Sequence, residues 1–287
     1  MVEPLPDGVA WDGAGNLTLQ GPLLRLADAL DATFIELAGA WHATELRFPS
    51  LIAAAELERI DYFRSFPHLA TYAVCLSADE PNLAAFVDAG PVKSGAVNLT
   101  DVAPVKHVLA PAACYHLYAN QRGQHLEQPR YFTTRCTCFR RETHYVPFER
   151  QWGFTMREIV CVGTARETQD FLTTAAAAVD ALVARLGLTL AWDRATDPFF
   201  QPSKNPQYLM QQVDPTKYEL LYDDRLAIAS TNLHHDHFGR AFDITRGDSP
   251  VGAPAFTACV AFGIERWLAA FLGSFGPDEA AWPALSA

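Results

Sequence analysis

Arg130-Tyr131-Phe132-Thr133-Thr134-Arg135-Cys136-Thr137-Cys138-Phe139-Arg140-Arg141-Glu142, followed after a loop by Phe154-Thr155-Met156-Arg157-Glu158-Ile159-Val160-Cys161-Val162-Gly163, is the stretch on which the fold turns. Both halves are rich in β-branched and aromatic residues, which suit a pleated, half-buried surface. They are close enough in sequence to pair antiparallel. In such a hairpin Phe139-Arg140-Arg141-Glu142, the loop residue Arg150 and Phe154 onward converge at one end. An Arg-Arg-Glu on a strand, taken alone, is a solvated ion-paired face, because charges are normally exposed. It gains meaning only from its partners elsewhere in the chain.

Working outward, further strand-like segments fall at 217 to 223, 225 to 232 and 238 to 244, and apolar residues at helical spacing fall at 22 to 39, 50 to 63 and 167 to 186, the last ending at Gly187. Residues 255 to 272 read as a buried helix entered from a strand. Strands in succession with helices around them predict an α+β fold, an antiparallel sheet flanked by helices that forms the floor of a site. No internal repeat, low-complexity linker or composition break is present, so residues 1 to 287 are expected to form a single domain.

Hydrophobic residues make up 49% of the chain, enough for a large core. No stretch approaches the roughly 18 apolar residues of a spanning helix, and the first thirty residues lack a signal-peptide pattern. A cytoplasmic protein with reduced thiols is expected. The net charge of -11 disfavours a broad nucleic-acid surface, which needs basic side chains to displace counterions. One window opposes that trend: Arg122, Arg130, Arg135, Arg140, Arg141, Arg150 and Arg157 stand against Glu127, Glu142 and Glu149, and positive charge is concentrated where phosphates are expected.

Two later segments share this logic. Lys217-Tyr218-Glu219-Leu220-Leu221 precedes Ser230-Thr231-Asn232-Leu233-His234-His235-Asp236-His237-Phe238-Gly239, whose three close histidines match no dedicated zinc spacing and fit a polar loop as well. Thr257-Ala258-Cys259-Val260-Ala261-Phe262-Gly263-Ile264-Glu265-Arg266-Trp267 places an arginine three residues after a glycine on an otherwise apolar helix; by itself Arg266 reads as a side chain snorkelling to the surface.

Together F-R-x-E, a loop arginine, F-x-x-x-E and a terminal G-x-x-R resemble the signature motifs of class II aminoacyl-tRNA synthetases. Asp197-Pro198-Phe199-Phe200, Lys217 to Leu221, Asn232 to Gly239 and Cys259 to Arg266 narrow the likeness to the amino acid:carrier protein ligases, truncated relatives of the atypical zinc-dependent seryl-tRNA synthetases. Phe48-Pro49 and Ser65-Phe66-Pro67-His68-Leu69 extend it upstream, so that it covers roughly residues 45 to 270.

The resemblance implies ATP-dependent activation of a small amino acid, glycine or alanine, as an aminoacyl adenylate, then transfer to the phosphopantetheine thiol of a carrier protein. It implies that Arg140 holds the α-phosphate and attacking carboxylate, a task suited to a bidentate guanidinium. Glu142 is matched to the adenine amino group, Phe154 to stacking under the base, Arg266 to its other face and the γ-phosphate, and Arg150 to the terminal phosphates. Glu219 is placed near Mg2+ and Asn232 at the substrate end. Cys114, Glu158 and Cys259 are implied as ligands of a Zn2+ with an open position for the substrate amine, a template and not an activator of water.

With few residues ahead of Phe48-Pro49 and none assigned to anticodon binding after residue 272, tRNA is not the expected acceptor. Phe48-Pro49 implies a homodimer. The Thr143-His144-Tyr145-Val146-Pro147-Phe148-Glu149 loop departs from the family pattern and leaves the acceptor and amino acid open. Two other readings stand beside this one: a minimal seryl-type tRNA synthetase, and a catalytically inactive synthetase paralogue serving as a regulatory or binding subunit.

Overall fold

The computed structural model describes residues 5–247 and 252–285. Seven strands make its main sheet: β1 (Thr44–Arg47), β2 (Arg130–Phe139), β3 (Gly153–Gly163), β4 (Leu190–Arg194), β5 (Lys217–Tyr222), β6 (Leu226–Leu233) and β7 (Phe256–Gly263). Their spatial order is β4-β5-β6-β7-β3-β2-β1, and every neighbouring pair is antiparallel except the edge pair of β1 and β2. The β2–β3 hairpin pairs from Phe139 with Gly153 to Arg130 with Val162, as its composition predicts.

Strand alternation sends successive side chains to opposite faces. Ile159 and Cys161 of β3, with Val260 and Phe262 of β7, pack under the helices Gly21–Ala38, Ala165–Leu186 and Ile264–Phe275. On the other face Cys136, Cys138, Val160, Val162 and Cys259 pack against Leu117 and Tyr118 of the helix Tyr115–Asn120 and against Phe238 and Phe242. The Ala165–Leu186 helix is delimited locally: Thr164 and Glu167 form a reciprocal capping box, and Gly187 closes the far end in the left-handed conformation.

Two expected elements differ. Residues 238 to 244 do not form a strand: His237–Ala241 is a helical turn, followed only by the short strand Thr245–Arg246. Phe238, Ala241 and Phe242 fall at i, i+3 and i+4, and all face the second cluster, so the helical period buries what alternation would split between two faces. The expected helix at 50 to 63 opens with a strand, Leu51–Ala53, paired to His107–Leu109, and continues as two short helices interrupted by Asp61 at φ 57°. At 255 to 272 the strand Phe256–Gly263 leads into the buried helix Ile264–Phe275, as expected.

Candidate active site

The second face of the sheet floors a cavity of about 870 Å³, lined by residues from each quoted motif except Phe48-Pro49. Within it β3 and β7 set two donors. Val160 pairs with Cys259 and Glu158 with Ala261, so Glu158 and Cys259 lie diagonally on the same face. Cys114 arrives from outside the sheet, at the entry to the Tyr115–Asn120 helix. The adjoining Ala113 N–H donates to Glu158 Oε1 at 3.1 Å.

Cys114, Glu158 and Cys259 are all buried, with the Cys114 thiol beside both of the others. The neighbouring Cys259 thiol, then burial, hold Cys114 well above the ordinary thiol value. Burial raises Glu158 above the usual carboxylate range, against the neighbouring Cys114 and Cys259 thiols and the bond from the Ala113 N–H. Glu158 Oε2 is buried without a partner. Three acidic groups in one dry place are neutral or need a cation among them.

Among the described residues no three His, Cys, Asp or Glu side chains are drawn into a metal-holding group. The donor chemistry nevertheless fits: two thiols and an orphaned carboxylate oxygen are adjacent, a set suited to zinc.

Two residues flank Cys259. Asn232, opposite it on β6, donates its Nδ2 to the sulfur at 3.5 Å. His234 Nε2 lies 3.8 Å from the same sulfur, while its Nδ1 faces Thr257 Oγ1 at 3.1 Å and the Tyr118 hydroxyl at 3.3 Å. Burial pushes His234 down to about 3, so its ring is neutral at physiological pH. Sequence reasoning assigned His234 no role; the available signal was its spacing of two from Asn232, which puts both on one face of an extended chain.

Three arginines line the same cavity. Arg140 lies over the Phe154 ring at 5.2 Å and donates its Nε to Pro111 O at 2.9 Å. Arg150 donates to Glu142 Oε2 at 2.8 Å. Arg266, far from snorkelling, is turned inward and bonded to the carbonyls of Glu149 and Ala227, each at 2.9 Å. Burial first, then Arg140, push Arg266 below the ordinary arginine value; Arg150 adds to this, and Glu219 and Glu142 offset part of it. Such a cluster of mutually repelling guanidinium groups favours an anion between them.

Glu219 accepts from Lys217 Nζ at 3.1 Å, and Lys217 also reaches Asp197 at 3.0 Å. Asp197 and Lys217, quoted in the sequence motifs without a role, thus make a half-buried pair on the wall of the cavity.

The arginine-rich window needs correction. Of its seven arginines, Arg140 and Arg150 line the cavity. Arg157 is buried on the opposite face, bidentate to Asp31 at 2.8 Å for each bond. Arg135 pairs with the same aspartate, and Arg122 with Glu56. Sequence density of charge did not distinguish the two faces of a strand.

No protein-family model matches the chain. Two curated relatives are amino acid–acyl-carrier-protein ligases 1 and 2 of Bradyrhizobium diazoefficiens, each 36% identical across 83% of this chain and covered over 74% and 72% of their own lengths. Among solved structures, M. kandleri SerRS, determined with A. aeolicus tRNASec, superposes with a TM-score of 0.80 at 20% identity. That match covers 96% of this chain and 57% of the synthetase chain. The fold is that of the class II aminoacyl-tRNA synthetase core.

Proposed function

Because this chain belongs to the amino acid–acyl-carrier-protein ligases, we propose that it uses ATP to activate a small amino acid, glycine or alanine, and passes the aminoacyl group to a carrier protein's phosphopantetheine thiol. The observation that carries this reading is one cavity lined both by Cys114, Glu158 and Cys259 and by Arg140, Arg150 and Arg266. An amine bound among the first three sets its carboxylate toward the arginines.

In the first step a carboxylate oxygen of the amino acid bonds to the α-phosphorus of ATP, and pyrophosphate leaves. Arg140 neutralises charge growing on the α-phosphate and the incoming carboxylate, while Arg150 and Arg266 take the terminal phosphates; the chemistry is positioning and charge stabilisation. Arg150 must exchange Glu142 for phosphate, which frees that carboxylate for the adenine amino group. Phe154 supports the base, Glu219 is positioned for Mg2+, and Asn232 orients the substrate beside Cys259. In the second step the carrier thiolate attacks the carbonyl of the mixed anhydride and AMP leaves.

Cys114, Glu158 and Cys259 are the residues that would hold zinc, which when bound supplies a fixed Lewis-acidic anchor for the substrate amine. Exposed Leu51, Tyr72, Val74, Val92 and Val97, on the segment that follows Phe48-Pro49, support a homodimer. A single domain over 1 to 287 and a cytoplasmic location belong to the same reading; among the described residues no helix is long and apolar enough to cross a membrane.

Amino-acid-dependent ATP–pyrophosphate exchange tests the proposal, with glycine and alanine as first substrates and labelled transfer to a pantetheinylated carrier as the second measurement. Exchange followed by transfer only to tRNA would replace the carrier with tRNA. No exchange with any small amino acid would favour an inactive paralogue.

A further inference from the structure

Arg266 is held from two sides by backbone that is distant in sequence. Its Nε donates to Glu149 O, at the end of the loop that departs from the family pattern, and its Nη1 donates to Ala227 O at the start of β6. Two of its three nitrogens are committed in this way. The third remains for a ligand in the cavity that Arg266 lines.

The same two backbone segments are tied together by one side-chain pair. Arg225, two residues before Ala227, donates Nη1 to Glu149 Oε2 at 2.7 Å and Nη2 to Glu149 Oε1 at 2.9 Å. A bidentate guanidinium–carboxylate pair fixes direction as well as distance. Both flanks of this clasp are shaped to present it. Asp223 and Asp224, at φ 53° and 52°, make the tight turn between β5 and β6 that delivers Arg225. Phe148, at φ 62° and buried in the core that includes Ile159 and Phe262, pins the loop immediately before Glu149.

We propose that Arg225 is a positioning residue for the nucleotide: by clasping Glu149 it sets the distance between the two carbonyls that aim Arg266. The pair is half exposed, with side-chain exposures of 55% and 24%, so it contributes little to folding stability in itself. Its effect lies in where it holds Arg266. The inference rests on the reading of the cavity arginines as the ATP site.

The test compares Arg225→Ala, Glu149→Gln and the charge swap Arg225→Glu with Glu149→Arg. The readouts are KM for ATP and for the amino acid in pyrophosphate exchange, and the rise in Tm produced by Mg-ATP. Each single variant is expected to raise KM for ATP about ten-fold, short of the roughly hundredfold that a 1 Å misplacement can cost. KM for the amino acid and the ligand-free Tm should stay at their wild-type values, and the swap should recover most of the loss.

An unchanged KM for ATP in Arg225→Ala overturns the proposal. So does a rise in both KM values together with a lower ligand-free Tm, which marks a general structural role. If the wild-type protein exchanges with no amino acid but is stabilised by Mg-ATP, the proposed activity fails while the clasp is still judged by whether Arg225→Ala loses that stabilisation. A wild-type protein that Mg-ATP does not stabilise at all overturns both.

Discussion

Arg157 and Glu158 are consecutive residues that act on opposite faces of one sheet. Arg157 donates twice to Asp31 at 2.8 Å beneath the Gly21–Ala38 helix, whereas Glu158 accepts the Ala113 N–H at 3.1 Å above the cavity floor. A single step along β3 therefore separates a residue paired beneath the sheet from one that lines the cavity.

Arg157→Ala leaves Asp31 buried with only its longer, single bond from Arg135 at 3.3 Å. Removing one member of such a pair costs about 3–5 kcal/mol. Urea unfolding should show a loss of that size, with Asp31→Ala comparably harmful. A loss within experimental error would mean that water reaches the pair.

Cys114→Ala and Cys259→Ala are each expected to lose zinc and exchange activity while keeping the far-UV spectrum of the wild type, since each deletes only a small buried group. Metal analysis of the purified variants checks this. Full zinc occupancy in both would remove Cys114, Glu158 and Cys259 as the binding set.

Arg140→Lys retains a positive charge but loses the planar fork, and with it simultaneous contact to phosphate and carboxylate. The expected fall in kcat is about 10²–10³, the range for losing one preorganised transition-state donor. A kcat within a factor of two of wild type would show that Arg140 serves only as a charge.

Gly239 lies so close to the Ala255 backbone that an added Cβ would overlap its carbonyl oxygen. Gly239→Ala must push the His237–Ala241 turn outward, and with it His234, whose Nε2 faces Cys259. Overpacking of this kind costs about 1–3 kcal/mol. The variant should combine that destabilisation with weakened zinc retention; wild-type stability would show that the contact relaxes freely.

Glu167 bonds to the Thr164 N–H at 2.7 Å and to Arg246 at 2.7 Å. Burial opposes ionisation, yet Arg246 and the Thr164 bonds prevail and place its pKa below the ordinary 4.5. A depressed carboxylate pKa stabilises the fold above that ordinary value, and the gain is lost as pH falls through the lowered one. Glu167→Gln should therefore cost on the order of 1 kcal/mol at neutral pH, as loss of a helix cap does. Denaturation measured across the acid range should show the gap between the two proteins closing; a gap independent of pH would assign the effect to shape and not charge.

Local order was readable without coordinates wherever a short-range period or cap enforced it: the pairing of Arg130–Phe139 with Gly153–Gly163, and the capped Ala165–Leu186 helix, follow from neighbouring residues alone. The membership of Arg140, Glu142, Arg150, Phe154 and Arg266 in a single cavity was implied by their joint motif order. Which face each side chain takes was decided only by tertiary packing, because alternation fixes that neighbours oppose one another but not which of them meets the core. That is why Arg157 was grouped with the phosphate arginines until Asp31 came beneath it. It is also why Arg225 and its clasp on Glu149 carried no signal in the chain: the partners are brought together by the sheet, across a separation that no local pattern spans.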